Sequence, residues 1–139
     1  LSNNKYIVVV GCGRLGAILA DHLSLQGHSV VAVDRDMSAF EKLSPDFTGF
    51  RLQGDATRIS VLRQAKMDKA DIVVAATRND NVNLMVVQVA KSLFNVSRVM
   101  ARLHDPKRGE MYADLDIEIV CPVRVAAEHF MAWLDLREG

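Results

Sequence analysis

The feature that most constrains the fold lies near the start of the chain, in the stretch YIVVVGCGRLGAILADHL. Tyr6 to Val10 are apolar without polar alternation, as in a strand covered on both faces. Gly11, Gly13 and Gly16 follow at G-x-G-x-x-G spacing, and Leu15, Ile18, Leu19 and Leu23 then recur at helical intervals. In a strand–turn–helix of this kind the first glycine permits the tight turn and the second lets a pyrophosphate approach the backbone. The third lets the helix pack closely on the sheet. Alone the pattern is weak, but Asp34 closes the next apolar run at close to the expected distance of about 20 residues. An acidic group there accepts hydrogen bonds from ribose hydroxyls and repels a 2′-phosphate, which favours an unphosphorylated adenosine ribose. Arg35 beside it weakens that exclusion. Arg14 stands in the first helical turn with Leu15, where a cation opposes the helix dipole by some tenths of a kcal/mol. A bound anion would remove the conflict; a solvated arginine is the alternative reading.

The rest of the chain repeats the rhythm. The spacing predicts a helix over Arg14–Gln26 ended by Gly27, a strand at Val30–Val33, and a short helix through Met37, Phe40 and Leu43 that stops before Pro45. Next come a strand at Phe50–Gln53, a helix near Arg58–Ala65, a strand at Ile72–Ala76 and a long helix near Asn81–Leu93. A strand at Arg98–Leu103, a short helix after Pro106, a strand near Ile117–Val120 and a helix opening at Pro122 complete the pattern. Strands and helices that alternate in this way, with most of the strands apolar runs without polar alternation, predict an α/β Rossmann-like, doubly wound parallel sheet of six strands in the order 3-2-1-4-5-6. At 139 residues, one domain spanning 1–139 is expected.

Composition narrows the function classes. Lysine plus arginine and aspartate plus glutamate are equal at 17 each, so nothing draws the chain to nucleic acid or an anionic membrane. Apolar runs fall short of the roughly 18 residues of a membrane span. Cys12 and Cys121 have neither disulfide nor metal-ligand spacing, and no leader pattern opens the chain, so a reducing, cytoplasmic compartment is expected.

Further candidates lie where predicted strands end, which is where open α/β sheets bind ligands. In Gly54-Asp55-Ala56-Thr57, Asp55 either approaches an adenine or caps the next helix with Thr57. In ATRNDNVNL, Thr77 lies nearer the phosphates, while capping is the simpler account of Asn79 and Asp80. In ARLHDP, Arg102 is a second positive group, His104 reads as a surface histidine and Asp105 as a cap before Pro106. No catalytic pattern stands out: Tyr112 lacks a lysine four residues on, and neither G-x-S-x-G nor H-E-x-x-H occurs. Cys12 could be acidified by the helix start, although a small residue that fits the turn explains it more simply.

The segments VVVGCGRLGAILADHL, VVAVDRD, LQGDAT, ADIVVAATRNDNVNLMVVQVAK and VMARLHDP together resemble the regulator-of-potassium-conductance N-terminal domain, also called the TrkA-N or KTN domain. The resemblance implies a non-enzymatic cytoplasmic regulatory domain that binds NAD(H), ATP, ADP or AMP and assembles as a homodimer or larger ring beneath a membrane potassium channel or transporter. By position it makes Gly11, Gly13, Arg14, Leu15 and Gly16 the phosphate turn and Asp34, with Arg35, the ribose end. Asp55 and Ala56 fall beside the adenine, and Thr77, Asn79 and Arg102 along the cleft. Residues 122–139, rich in Val123, Val125, Phe130, Met131, Trp133 and Leu134, are expected to form a crossover dimerisation helix. The cofactor-binding half of an NAD-dependent oxidoreductase is the alternative function.

Overall fold

The computed structural model describes residues 3–137. Six parallel strands form one sheet in the order β3-β2-β1-β4-β5-β6, as expected. They are β1 (Tyr6–Val10), β2 (Ser29–Asp34), β3 (Phe50–Gln53), β4 (Ile72–Ala75), β5 (Arg98–Arg102) and β6 (Glu118–Val120). The α-helices are α1 (Arg14–Leu25), α2 (Ile59–Gln64), α3 (Asp80–Ser92), α4 (Pro106–Met111) and α5 (Pro122–Leu134).

Two connections differ from the sequence expectation. Met37–Lys42 is a 3-10 helix, because Asp36 caps it through Ser38 N–H and the chain turns extended at Leu43, before Pro45. Six residues pinned by buried Phe40 leave little room for α-helical turns. A further 3-10 turn, Met67–Lys69, follows α2 after Lys66 adopts a left-handed conformation at φ 56°. The periodicity gave no sign of that turn.

Alternate residues of the central strands point to opposite faces, and both sets are buried. Val8, Val10, Val33, Val73 and Ala101 pack under α2 and α3, with Leu62, Val86 and Val87. Ile7, Val9, Val30 and Ala32 pack under α1, with Ala17, Ala20 and Phe40. The second layer covers only the β1–β3 half of its face. Across β4 and β5, Ile72, Val74 and Met100 remain half-buried. Helix α5, which follows β6, buries none of its residues. Among the described residues no helix is long and apolar enough to cross a membrane, and no metal-binding cluster of His, Cys, Asp or Glu occurs.

Candidate functional site

The parallel strands carry their following loops to one edge, so the turn after β1 meets the ends of β2, β3 and β4. Val10 runs into Gly11, which takes φ +99° and donates its N–H to Val33 O at 2.7 Å. A Cβ at Gly11 would lie 2.8 Å from Ala76 C and from Thr77 N, so the turn packs directly on the backbone leaving β4. A Cβ at Gly16 would overlap Gly11 O, which is how the start of α1 comes to rest on the turn. Gly13 is different. Its φ of −77° suits any residue, and a Cβ there would meet nothing within 4 Å. Folding makes no steric demand for glycine at this position.

Gly13 is also the N-cap of α1 and offers no side-chain acceptor. Among the described residues, no protein group accepts from the N–H groups of Gly13, Arg14, Leu15 or Gly16. The first turn holds no acidic residue and one exposed arginine, Arg14. Convergent N–H donors and a cation at a helix N-terminus form an anion-binding arrangement.

Asp34 ties this turn to the end of β2. Its Oδ2 accepts from Cys12 N–H at 2.8 Å and its Oδ1 from Asp36 N–H at 2.9 Å. Each oxygen keeps a lone pair for a diol. The Cys12 side chain points into the core, and burial, aided by the Asp34 charge, pushes its thiol up to about 11. That removes the acidified-thiol reading. At the end of β3, Asp55 accepts from both the N–H and the hydroxyl of Thr57, at 2.9 and 2.7 Å, and these bonds hold its carboxyl below the usual range. Asp55 thus shapes its own loop while still facing the cleft. A cleft of about 140 Å³ brings together Gly11, Asp34, Arg35, Asp55, Ala56 and Thr77.

Leu15, Asn79 and Arg102, also expected at the site, do not line this cleft. Leu15 brings its N–H to the turn, but its side chain lines a separate apolar groove of about 550 Å³ between α1, β4, β5 and α5. Arg102 borders the same groove, and its Nε is buried without an acceptor among the described residues. Asn79 caps α3, its Oδ1 accepting from Val82 N–H at 3.1 Å.

Asp80 does not act as a cap. It reaches across to the end of β5, accepting from the His104 N–H at 3.0 Å and pairing with His104 Nδ1 at 2.7 Å. Burial pushes its carboxyl up, but the bonds from His104 and the Asp105 N–H outweigh this and hold it below the usual range. Sequence reasoning missed Asn83 altogether. It is fully buried and polar, and its partners lie 6 and 19 residues away, beyond any local pattern.

The TrkA-N domain pattern matches residues 7–122. The Trk system potassium uptake protein TrkA of Streptomyces coelicolor is 39% identical over 126 residues, which is 91% of this chain and 56% of that protein. TrkA of Mycobacterium tuberculosis is 31% identical over 87% of this chain and 56% of its own length. The chain therefore spans little more than half of these curated relatives, whose names describe uptake proteins, not enzymes. Among solved structures, the GsuK channel bound to NAD has a TM-score of 0.78 and 26% identity, over 96% of this chain and 24% of that one. The TrkA-N domain of the Escherichia coli inner membrane protein ybaL aligns over 96% of this chain and 99% of its own, with a TM-score of 0.79 and 18% identity. The family pattern and the sheet order agree: the chain belongs to the TrkA-N domain family.

Proposed function

We propose that this chain is a non-enzymatic, nucleotide-sensing domain that binds NAD(H) or an adenine nucleotide and regulates a potassium channel or transporter from the cytoplasmic side of the membrane. The observation that carries the reading is Gly13. The protein's own packing does not require glycine there, yet the position stays clear beside four free N–H groups at the start of α1. Space kept open at a helix N-terminus suits a phosphate. Asp34 supplies acceptors for the ribose, and Asp55 and Ala56 line the adenine end. The GsuK structures with ADP and with NAD support this ligand class, and the Trk names of the curated relatives support a potassium-transport partner.

The reading includes assembly of two chains, or a larger ring, through the region 122–139, of which Pro122–Leu134 forms α5, short of the expected helix, and 138–139 lie outside the described residues. On α5, Trp133 is 82% and Phe130 66% exposed, and the apolar groove beside the helix is open to apolar side chains of a second copy.

Calorimetric titration with NADH, NAD, NADPH, ATP, ADP and AMP tests the ligand. One or more nucleotides with a free 2′-hydroxyl should bind, NADPH should bind more weakly, and Asp34→Ala should lose at least about tenfold in affinity. Binding to none of them makes the glycine turn purely structural and ends the sensor reading.

A further inference from the structure

Asn83 is the only buried polar side chain among the described residues, and it is fully enclosed. All four hydrogen-bonding positions of its amide are used. Oδ1 accepts from the Thr77 N–H at 2.9 Å and from the Thr77 hydroxyl at 2.6 Å. Nδ2 donates to Thr77 O at 3.0 Å and to Arg102 O at 2.8 Å. One side chain on α3 thus holds the chain leaving β4 and the last residue of β5. The neighbouring positions on the inner face of α3, Leu84, Val86, Val87 and Ala90, are apolar, as packing alone would require.

Of the two segments that Asn83 holds, Thr77 lines the nucleotide cleft on its β4 side and Arg102 borders the neighbouring groove. The Thr77 backbone is the wall on which Gly11 packs, so the placement of Thr77 sets the placement of the glycine turn. The Thr77 hydroxyl spends its proton on Asn83 and accepts from the Asn79 N–H at 3.1 Å, so it is a strut of the loop and not a free donor. Arg102 lies across the groove from Leu15, in the first turn of α1, with its Nε unpartnered. Asp80, one helical turn before Asn83, fastens the next residue pair of the same strand end by accepting from the His104 N–H. These contacts cross from β4 to β5, whereas Asp34 and Asp55 stand on the β2 and β3 side.

We propose that Asn83 is a positioning residue for the ligand's second half. It fixes the gap between the glycine turn and Arg102, and so sets the affinity for nucleotides that extend beyond the first phosphate. This rests on the nucleotide-binding reading above. AMP needs the adenosine end and one phosphate site, while ADP and NADH also need the β4–β5 side. A loosened gap should therefore cost the longer ligands more.

The test is titration of the chain and of Asn83→Leu with AMP, ADP and NADH, with circular dichroism and thermal melting as the check on folding. In the folded variant the affinities for ADP and NADH should each fall by about tenfold more than that for AMP. Thr77→Val, which removes the hydroxyl strut and leaves the backbone bonds, should shift the same ratio in the same direction by a smaller factor. It decides the matter if Asn83→Leu does not fold. An unchanged ratio, whether all three affinities fall together or none falls, overturns the assignment. If the unsubstituted chain binds none of the three, the nucleotide reading fails first and the assignment fails with it. If it binds only AMP, the nucleotide reading stands and the assignment alone fails.

Discussion

The three glycines of the turn answer to different forces, and substitution separates them. Gly16→Ala places a methyl group in the Gly11 carbonyl, so α1 must lift from the turn. A loss of at least about 3 kcal/mol in unfolding free energy is expected, at the upper end for forced overpacking. Gly13→Ala meets no atom and keeps an ordinary φ, so its stability should change by no more than about 1 kcal/mol, the scale of an N-cap effect. Its nucleotide affinity should nevertheless fall at least about tenfold, because the methyl occupies the phosphate approach. Urea unfolding and calorimetry on the two variants check this; a stable Gly16→Ala, or a Gly13→Ala that binds as before, contradicts the division of roles. The sequence pattern presents the three glycines as one motif. The fold's need at Gly11 comes from Ala76 and Thr77 on the chain leaving β4, and at Gly16 from the Gly11 carbonyl, contacts that are visible only in three dimensions.

At the scale of elements, α3 acts as a clasp. Asp80 and Asn83, three residues apart on one face, both reach the end of β5, while Asn79 caps the helix from outside. Because the Asp80 carboxyl is held below its ordinary value in the folded chain, its contribution is complete above the ordinary carboxylate range near 4 and is lost as pH falls through the lower folded value. Asp80→Asn should therefore cost about 1–2 kcal/mol of unfolding free energy near pH 7. The two chains should begin to converge as the pH falls below about 4. Urea melts across that range read the difference, and a gap that persists undiminished at pH 3 contradicts the carboxylate's role.

The strands, α1 and α5 were legible because their signals are local: apolar runs, Gly27 after α1, Pro122 opening α5. The clasp was not, since ATRNDNVNL reads as a capping segment and only tertiary contacts separate the cap at Asn79 from the long reach of Asp80 and Asn83. The 3-10 segments escaped for a related reason. Met37, Phe40 and Leu43 carry apolar spacing that suits either helix type, with buried Phe40 deciding between them, and Met67–Lys69 is too short to show any period.

On the scale of the whole molecule, the α1 face is covered over β1–β3 and bare over β4–β6, and α5 presents its apolar residues next to the bare half. A self-complementary contact between two copies would bury both surfaces at once. The groove that would receive the second copy is bordered by Arg102, whose carbonyl Asn83 ties to the wall of the nucleotide cleft. Asn83 thus links cleft and groove, and under the proposed function a ligand that shifts one would bias the other. Regulation requires that bias, since a nucleotide with equal affinity for two arrangements changes neither. By linkage, nucleotide affinity must then depend on whether the chain is paired. Titrations run below and above the dimerisation concentration should differ by at least about fivefold, the lower end of typical coupling. Phe130→Glu, which puts a charge on the apolar face of α5, should sediment as a monomer and show one affinity at every concentration. Equal affinities for the unsubstituted chain across its monomer–dimer transition would leave the cleft able to bind but unable to signal through this interface.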